Sequence, residues 1–503
     1  MEVRLLRSWF LNKQKSKIMK KRNLILIALL IIMFFIIRPA SSQIMGGDLT
    51  WTCIGQDSFM IKLVVYRDCN GINLNNAIVN IKCKSTNKLI TTLNINKPAP
   101  IDITPTCNSS CTRCSDSNCS FPYGIEQYTF QKFVVLSSAG SCCELILSYS
   151  ICCRSSAITT IAANQNYYTY AMMNRCLNPC DNSPTFTNPP IGILCNEMDF
   201  VFCSGVTDHD MSSHGGLLDS LVFSWCHPLS SESSNIVYTG QYSYDKPIHF
   251  WGFPNTNLQF PRGFHLYFQT GIILFRPTKN EQTIMAMKIE EYRNGKLIGI
   301  VRRDFQITVI KCPVNHAPQL SSPFYKEVYA NNPVIFTINT NDSDINDTLL
   351  IGWNYAISKA LWTDNNKQVK YPTGEFSWTP KEQDIRPLPW VFIVTAQDDA
   401  CPINARTTRA YQILVKQNPD AISSDIINSK VKIYPNPSNG TVFIKSETKI
   451  ISINLYNSLG KSILKVNDLN VNNYELEKQI KGIYFLKIGL MDGSEVVEKV
   501  VFE

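Results

Sequence analysis

Eighteen cysteines, unevenly placed, constrain this chain more than any other feature of its sequence. Thirteen fall early: Cys53, Cys69, Cys83, Cys107, Cys111, Cys114, Cys119, Cys142, Cys143, Cys152, Cys153, Cys176 and Cys180. Cys195, Cys203, Cys226 and Cys312 follow, Cys401 stands alone, and the last hundred residues have none. In an oxidising compartment such a set reads as disulfides, so all eighteen are disulfide candidates. The first and last groups are odd in number. Either a bridge crosses between segments or some thiols stay free, and Cys312 is the candidate partner of Cys401. Adjacent residues on a strand point to opposite faces, so Cys142-Cys143 and Cys152-Cys153 are each expected to serve two different partners. Cys107, Cys111, Cys114 and Cys119 sit in a Ser/Asn/Thr-rich stretch, where a stapled loop is preferred over a zinc knuckle or redox pair.

The oxidising compartment is itself legible. Leu24–Ile37 is an apolar run of 14 residues behind Lys20-Lys21-Arg22, and Pro39-Ala40-Ser41-Ser42 follows. A basic segment, an apolar core and small residues before the cut define a secretory signal peptide, here residues 1–42, with Met19 an alternative start. The run is short of the roughly 20 residues a membrane span needs. No later stretch is apolar enough to span, so no transmembrane segment is expected in the mature chain. The whole chain has 48 Lys+Arg and 40 Asp+Glu, and residues 1–42 hold nine basic residues and one acidic. The rest is formally neutral, and nothing in it offers nucleic acid an electrostatic footprint.

Strand patterns dominate from residue 43 onward. Phe59–Tyr66 is β-rich, and Asn294-Gly295 separates two apolar alternating runs, a strong hairpin signal. No amphipathic helical stretch of useful length follows the signal, so the class is all-β. An internal repeat organises the centre. Ser183-Pro-Thr-Phe corresponds to Ala317-Pro-Gln-Leu, Asp208-His-Asp210 to Asp342-Ser-Asp344, and Asp219-Ser-Leu-Val-Phe-Ser-Trp225 to Asp347-Thr-Leu-Leu-Ile-Gly-Trp353. Thr270-Gly…Pro277 then matches Thr373-Gly…Pro380, and Arg303-Asp-Phe-Gln matches Arg409-Ala-Tyr-Gln. The expected organisation is a Cys-rich β domain (43–182), two β-sandwich modules (183–312, with an insertion near 227–265, and 313–416), a linker (417–430) and a small β domain (431–503).

The modules resemble bacterial immunoglobulin-like and cadherin-like sandwiches through Asp-x-Asp, the Thr-Gly block and the closing strand. Blocks such as Gly46-Gly-Asp-Leu-Thr-Trp-Thr-Cys53 and Ile151-Cys-Cys-Arg154 are similar to those of large secreted adhesin-like proteins of Bacteroidetes. The C-terminal segment carries Tyr434-Pro435-Asn436-Pro437, Gly440, Gly460, Gly482 and Tyr484. It resembles the type A C-terminal sorting domain of the type IX secretion system, again of Bacteroidetes. That resemblance implies export to the cell surface or beyond, with the secretion machinery as partner and a small C-terminal β-sandwich.

No nucleophile elbow, zinc-binding His-Glu-x-x-His or phosphate-binding glycine loop is present, so no catalytic residue is assigned. His209 and His214 are read as solvated loop residues. The leading chemical hypothesis is Ca²⁺, whose oxygen ligands would come from loop carboxylates. One set is Asp342, Asp344 and Asp347 with Asp398 and Asp399. Its parallel is Asp208, Asp210 and Asp219, with Glu290 and Glu291 as later contributors. Asp-x-Asp also caps turns through its own backbone, an explanation that needs no ion. The insertion carries Tyr238, Tyr242, Tyr244, Phe250, Trp251 and Phe253, which either form a patch for a glycan or protein ligand or pack on the module they interrupt. Together these features lead to the expectation of a non-catalytic adhesin or surface-layer protein. The alternatives are a secreted hydrolase with accessory sandwiches and a structural part of a gliding or attachment apparatus.

Overall fold

Lys296–Ile310 is the strand around which the larger part of the chain is arranged. Its fifteen residues are almost all buried. It forms a hairpin with Gln282–Arg293, closed by Asn294 and Gly295, whose φ values of 52° and 73° suit a two-residue turn between twisted strands. On its other side it pairs with Ile44–Gly55 and Tyr167–Asn174, and Ile193–Cys195 runs parallel to its end. The computed structural model describes residues 43–503 except 72, 108, 164, 191, 209, 211–218, 252–262, 314, 419–430, 459 and 494. The signal peptide, His209, His214, Phe253 and most of the expected linker lie outside the described residues.

Among those residues every regular element is a strand, apart from two single-turn 3-10 helices. The all-β class holds. The chain divides into two units, residues 1–417 and 418–503.

In the first unit a twelve-stranded sheet runs from Leu89–Ile95 through Ala77–Cys83, Glu144–Ile151, Tyr167–Asn174, Lys296–Ile310, Ile44–Gly55, Ser58–Asp68 and Ile125–Val135 to Ile101–Asp102. Strands from both ends of this order share one core, with Trp51, Phe59, Tyr128, Phe130, Leu147 and Tyr167 at its centre. A second core lies between the Lys296–Ile310 region and Phe200–Cys203 with Ile272–Pro277, built on Phe202, Phe275, Met285 and Phe305. A third packs Val334–Asn341 and Thr373–Trp378 against Trp390–Gln397 and Arg406–Lys416, where Phe376 and Phe392 stack 3.9 Å apart.

The three segments share their sheets. Lys296–Ile310 carries the Cys-rich strands, so pairing crosses the expected boundary at 182/183. Phe200–Cys203 meets Arg406–Lys416 in an eight-stranded sheet, crossing 312/313. An open sandwich edge satisfies its backbone by pairing with the next one, so the repeat units are not self-contained.

Buried ion pairs fix the central strand. Arg303 meets Asp48 at 2.9 Å, and its neighbour Asp304 accepts both terminal nitrogens of Arg154 at 2.9 and 2.6 Å. Gly46 lets the first strand pass closely. A Cβ there would lie 2.0 Å from the Asp304 carbonyl oxygen.

Eight disulfides are formed, and they correct the sequence reading at three points. Cys312 pairs with Cys195, while Cys401 pairs with Cys107 across 294 residues. Cys142 and Cys143 do serve separate partners, Cys83 and Cys176. Cys152 and Cys153 instead bond to each other. The preceding strand ends at Ile151, so strand alternation no longer separates their side chains. Cys203 and Cys226 are unpaired. Cys203 closes a strand of the eight-stranded sheet and Cys226 follows one of the twelve-stranded sheet. The remaining bridges are Cys53–Cys180, Cys69–Cys114 and Cys111–Cys119.

The second unit is a six-stranded sheet on the sixteen-residue strand Val442–Asn457, whose two halves pair with different neighbours. Its core contains Val442, Ile444, Leu455, Leu486, Ile488 and Phe502. After Tyr434 and Pro435, Asn436 accepts from the Val501 N–H at 2.9 Å and donates to the Lys499 carbonyl at 2.6 Å. The Tyr-Pro-Asn-Pro segment ending at Pro437 thus clamps the final strand. Gly440 lies in the bend before Val442–Asn457, Gly460 takes φ 74° in a turn, and Gly482 opens a strand in which the Tyr484 hydroxyl donates to Ile480.

Replacing Cys107 or Cys401 by Ser opens a loop of 294 residues. Each variant is expected to lose roughly 2–5 kcal/mol, read from guanidinium unfolding. The double variant should match either single one, and unchanged midpoints would contradict the pairing.

Candidate functional site

Strand register turns the sequence repeat into a residue-by-residue correspondence. Met287 faces both Trp225 and Arg303 in the first module, and Val394 faces both Trp353 and Arg409 in the second. Counting along these strands, Glu291 corresponds to Asp398, Arg293 to Ala400, and Asp219 to Asp347. The proline blocks align Asp181 with Asn315 and Asn182 with His316.

The hydrogen bonds repeat with the register. The Asp208 Oδ1 accepts the Asp210 N–H at 3.0 Å, and the Asp342 Oδ1 accepts the Asp344 N–H at 2.9 Å. Asp210 accepts from the backbone and side chain of Asn182, and Asp344 from those of His316. Asp208 Oδ2 and Asp342 Oδ2 are both buried without a hydrogen-bond partner among the described residues. These motifs do cap turns, as the ion-free explanation requires, yet each retains an oxygen the turn does not use.

In the first module Arg293 is the hub. It reaches Asp181 at 3.1 Å and Asp210 at 2.8 Å, and grips Asp219 through Nε at 2.7 Å and through Nη2. Glu291 is fully buried beside Asp208 and Asp219, and among the described residues neither of its oxygens meets a basic or amide donor. Gly299 makes room for it, since a Cβ there would lie 2.3 Å from Glu291 Oε2. The second module has the shorter Asp398, whose N–H is bonded to the Ala405 carbonyl at 3.1 Å. Burial drives the Glu291 carboxyl far above the usual carboxylate range, with Asp208 and Asp181 adding to the shift. Burial and Asp210 raise Asp181 to about 8, and burial raises Asp208 to about 6. Glu290 faces the other way and bonds Lys288.

In the second module Asp342, Asp344 and Asp347 bring oxygens within 4.8 Å of one another. Two unit charges at that separation repel by roughly 3.5 kcal/mol at an effective dielectric of 20. Burial raises Asp342 and Asp347, whereas the His316 N–H and ring outweigh burial and lower Asp344. Asp344 and Asp347 line a cleft of about 490 Å³ with Asn315, Ala400 and Pro402. Asp398 is not a free ligand. Its oxygens accept from the Ala400 and Ala405 N–H groups and from Asn315. One Asp399 oxygen accepts from the Thr348 N–H.

The sequence therefore located both acidic sets but overlooked Asp181 and Arg293. Asp181 stands two residues before the Ser183-Pro block and aligns with Asn315, so the repeat does not mark it as acidic. The aromatic insertion packs at most of its described positions. The Tyr238 hydroxyl donates to the Ile284 carbonyl and that of Tyr242 to Glu281, Tyr244 lies on His227, and Phe250 lies against Phe264. The Trp251 side chain lies outside the described residues.

Residues 432–503 match the family described as "Secretion system C-terminal sorting domain". The protein is secreted or displayed at the cell surface. Among the described residues no helix is long and apolar enough to cross a membrane. No curated protein matches the chain. Similar solved structures include mouse clustered PcdhgC3 EC1–3 at 11% identity, covering 48% of this chain and 85% of that one, TM-score 0.20. The full ectodomain of mouse nectin-like molecule 4 is 10% identical over 62% of this chain and 96% of its own, TM-score 0.18. An ICAM-5 D1–D4 fragment is 8% identical over 89% and 94%, TM-score 0.19. At these scores the likeness carries no argument here.

A carboxyl whose pKa is raised by folding stabilises the fold while protonated, and that contribution is lost as pH rises through its folded value. Asp181 and Asp208, raised to about 8 and about 6, should therefore make stability in EDTA fall as pH climbs from ~4 to ~8. Asp181→Asn should flatten the upper part of that decline, measured as denaturant midpoint against pH. A slope identical to wild type there would refute the assignment.

Proposed function

We propose that this chain is a non-catalytic adhesin or surface-layer component, delivered by the type IX secretion machinery through residues 431–503. Its ligand would be a glycan or another surface protein. The match of residues 432–503 to a sorting domain carries the reading, because it supplies a route and a destination. The scaffold suits that destination. Sixteen of the eighteen cysteines are spent on eight disulfides, and the shared sheets tie the Cys-rich segment to both modules. A body of this kind resists unfolding in dilute, protease-rich surroundings without needing a partner. Exposed loops and outward sheet faces remain for contact.

Removing residues 431–503 should leave the chain in the periplasm and clear it from the surface, scored by protease shaving of intact cells. The purified mature chain should bind a restricted set of glycans or matrix proteins on an array, and its deletion should reduce surface attachment. Surface display without the terminal unit, or a turnover assay abolished by one side-chain replacement, would overturn the reading.

A further inference from the structure

The first and second modules share a cavity of about 130 Å³. Leu221 and Phe223 from the first and Leu388 and Trp390 from the second line it, so much of its wall is apolar. Two polar side chains in the same lining lack the partners their burial calls for. The Thr270 hydroxyl is buried and bonds nothing among the described residues, although its counterpart Thr373 donates to Asn339 at 3.0 Å. Arg386, in the segment before Trp390–Gln397, lies on the Trp390 ring, 4.3 Å from its centroid. Its Nη2 donates to the Pro389 carbonyl at 2.6 Å, its Nε is buried without an acceptor, and no carboxylate among the described residues pairs with it. Burial lowers the Arg386 guanidinium to about 10, and Asp208 and Asp384, beyond ion-pairing reach, offset this only in part. Asp208 and Asp219 also line the cavity, but Arg293 grips Asp219 and the Asp210 N–H bonds Asp208.

We propose that this cavity binds a carboxylate carried on one compact apolar group, with Arg386 taking the carboxylate and the Thr270 hydroxyl a further polar contact. A guanidinium removed from water without an acidic partner is costly, and pairing with a planar carboxylate is its strongest compensation. Size sets the apolar group. A dry cavity of roughly 150 Å³ accepts one benzene ring, so a phenyl ring or a branched aliphatic chain fits here and a sugar chain does not. A bare inorganic anion would leave Leu221, Phe223 and Leu388 against water and forgo their burial. A free small acid and the C-terminal residue of a peptide present the same two features. Either would touch both modules at once, so binding should also tighten the contact between them. Such a site would stand whether or not the chain is an adhesin.

The test is calorimetric titration of the full mature chain with phenylacetate, with phenylacetamide, and with short peptides ending in phenylalanine as the free acid or the amide. Saturable micromolar-to-millimolar binding of at least one acid, and much weaker binding of its amide, is expected. Whichever acid binds, free or peptide, names the source. Arg386→Gln should weaken that binding roughly tenfold or more. Thr270→Val, close to threonine in shape, should weaken it about threefold. Thermal unfolding of each variant without ligand controls for folding, and Thr270→Val decides the matter should Arg386→Gln fail to fold. No acid bound at tens of millimolar, amides bound as tightly as acids, or unchanged affinity in either folded variant would overturn the proposal.

Discussion

Two adjacent charges on one buried strand hold the larger unit together. Arg303 and Asp304 are neighbours on Lys296–Ile310, so they point to opposite faces. Arg303 meets Asp48 of the first strand, and Asp304 meets Arg154, which follows the vicinal cysteines. All four side chains are buried. A buried charge stripped of its partner costs several kcal/mol, so each pair penalises arrangements that separate its two segments. Hydrophobic burial alone would tolerate many registers of so apolar a strand. The ion pairs select one, and with it the attachment of the Cys-rich region to the first module.

The disulfides then act at longer range than the strand pairing. Cys107–Cys401 joins the Cys-rich loop to the second module beside Cys312 and Pro313, and Cys195–Cys312 closes the first module on itself. Combined with the sheet that runs from Phe200–Cys203 into Arg406–Lys416, they make a single unit from segments that the sequence pattern presents as three. A protein that works outside the cell gains from such cross-linking, because every local opening is then limited by covalent as well as packing constraints.

The twin acidic sites show how a duplicated unit diverges at fixed geometry. The backbone bonds around Asp208 and Asp342 are the same, and so are the contacts from Asn182 and His316. The changes fall on charge and length: Arg293 against Ala400, Asp181 against Asn315, Glu291 against Asp398. Each keeps the turn and alters how its carboxylates are compensated.

Several features were decided by local chemistry and could be read directly. The β periodicity, the Asn294-Gly295 turn, the repeat with its Asp-x-Asp motifs and the Tyr434–Pro437 clamp all depend on residues close together in the chain. Cys142 and Cys143 have the separate partners that strand alternation led one to expect, although both stand just before the strand Glu144–Ile151. Cys152 and Cys153, just beyond its other end, bond to each other, so the tertiary surroundings decided both outcomes. The partners of Cys312 and Cys401, the free thiols Cys203 and Cys226, and the placing of Asp181 and Arg293 in one acidic site were settled only by tertiary structure. Each joins residues tens to hundreds of positions apart through the packing of sheets, and sequence spacing carries no information about which distant strands will become neighbours.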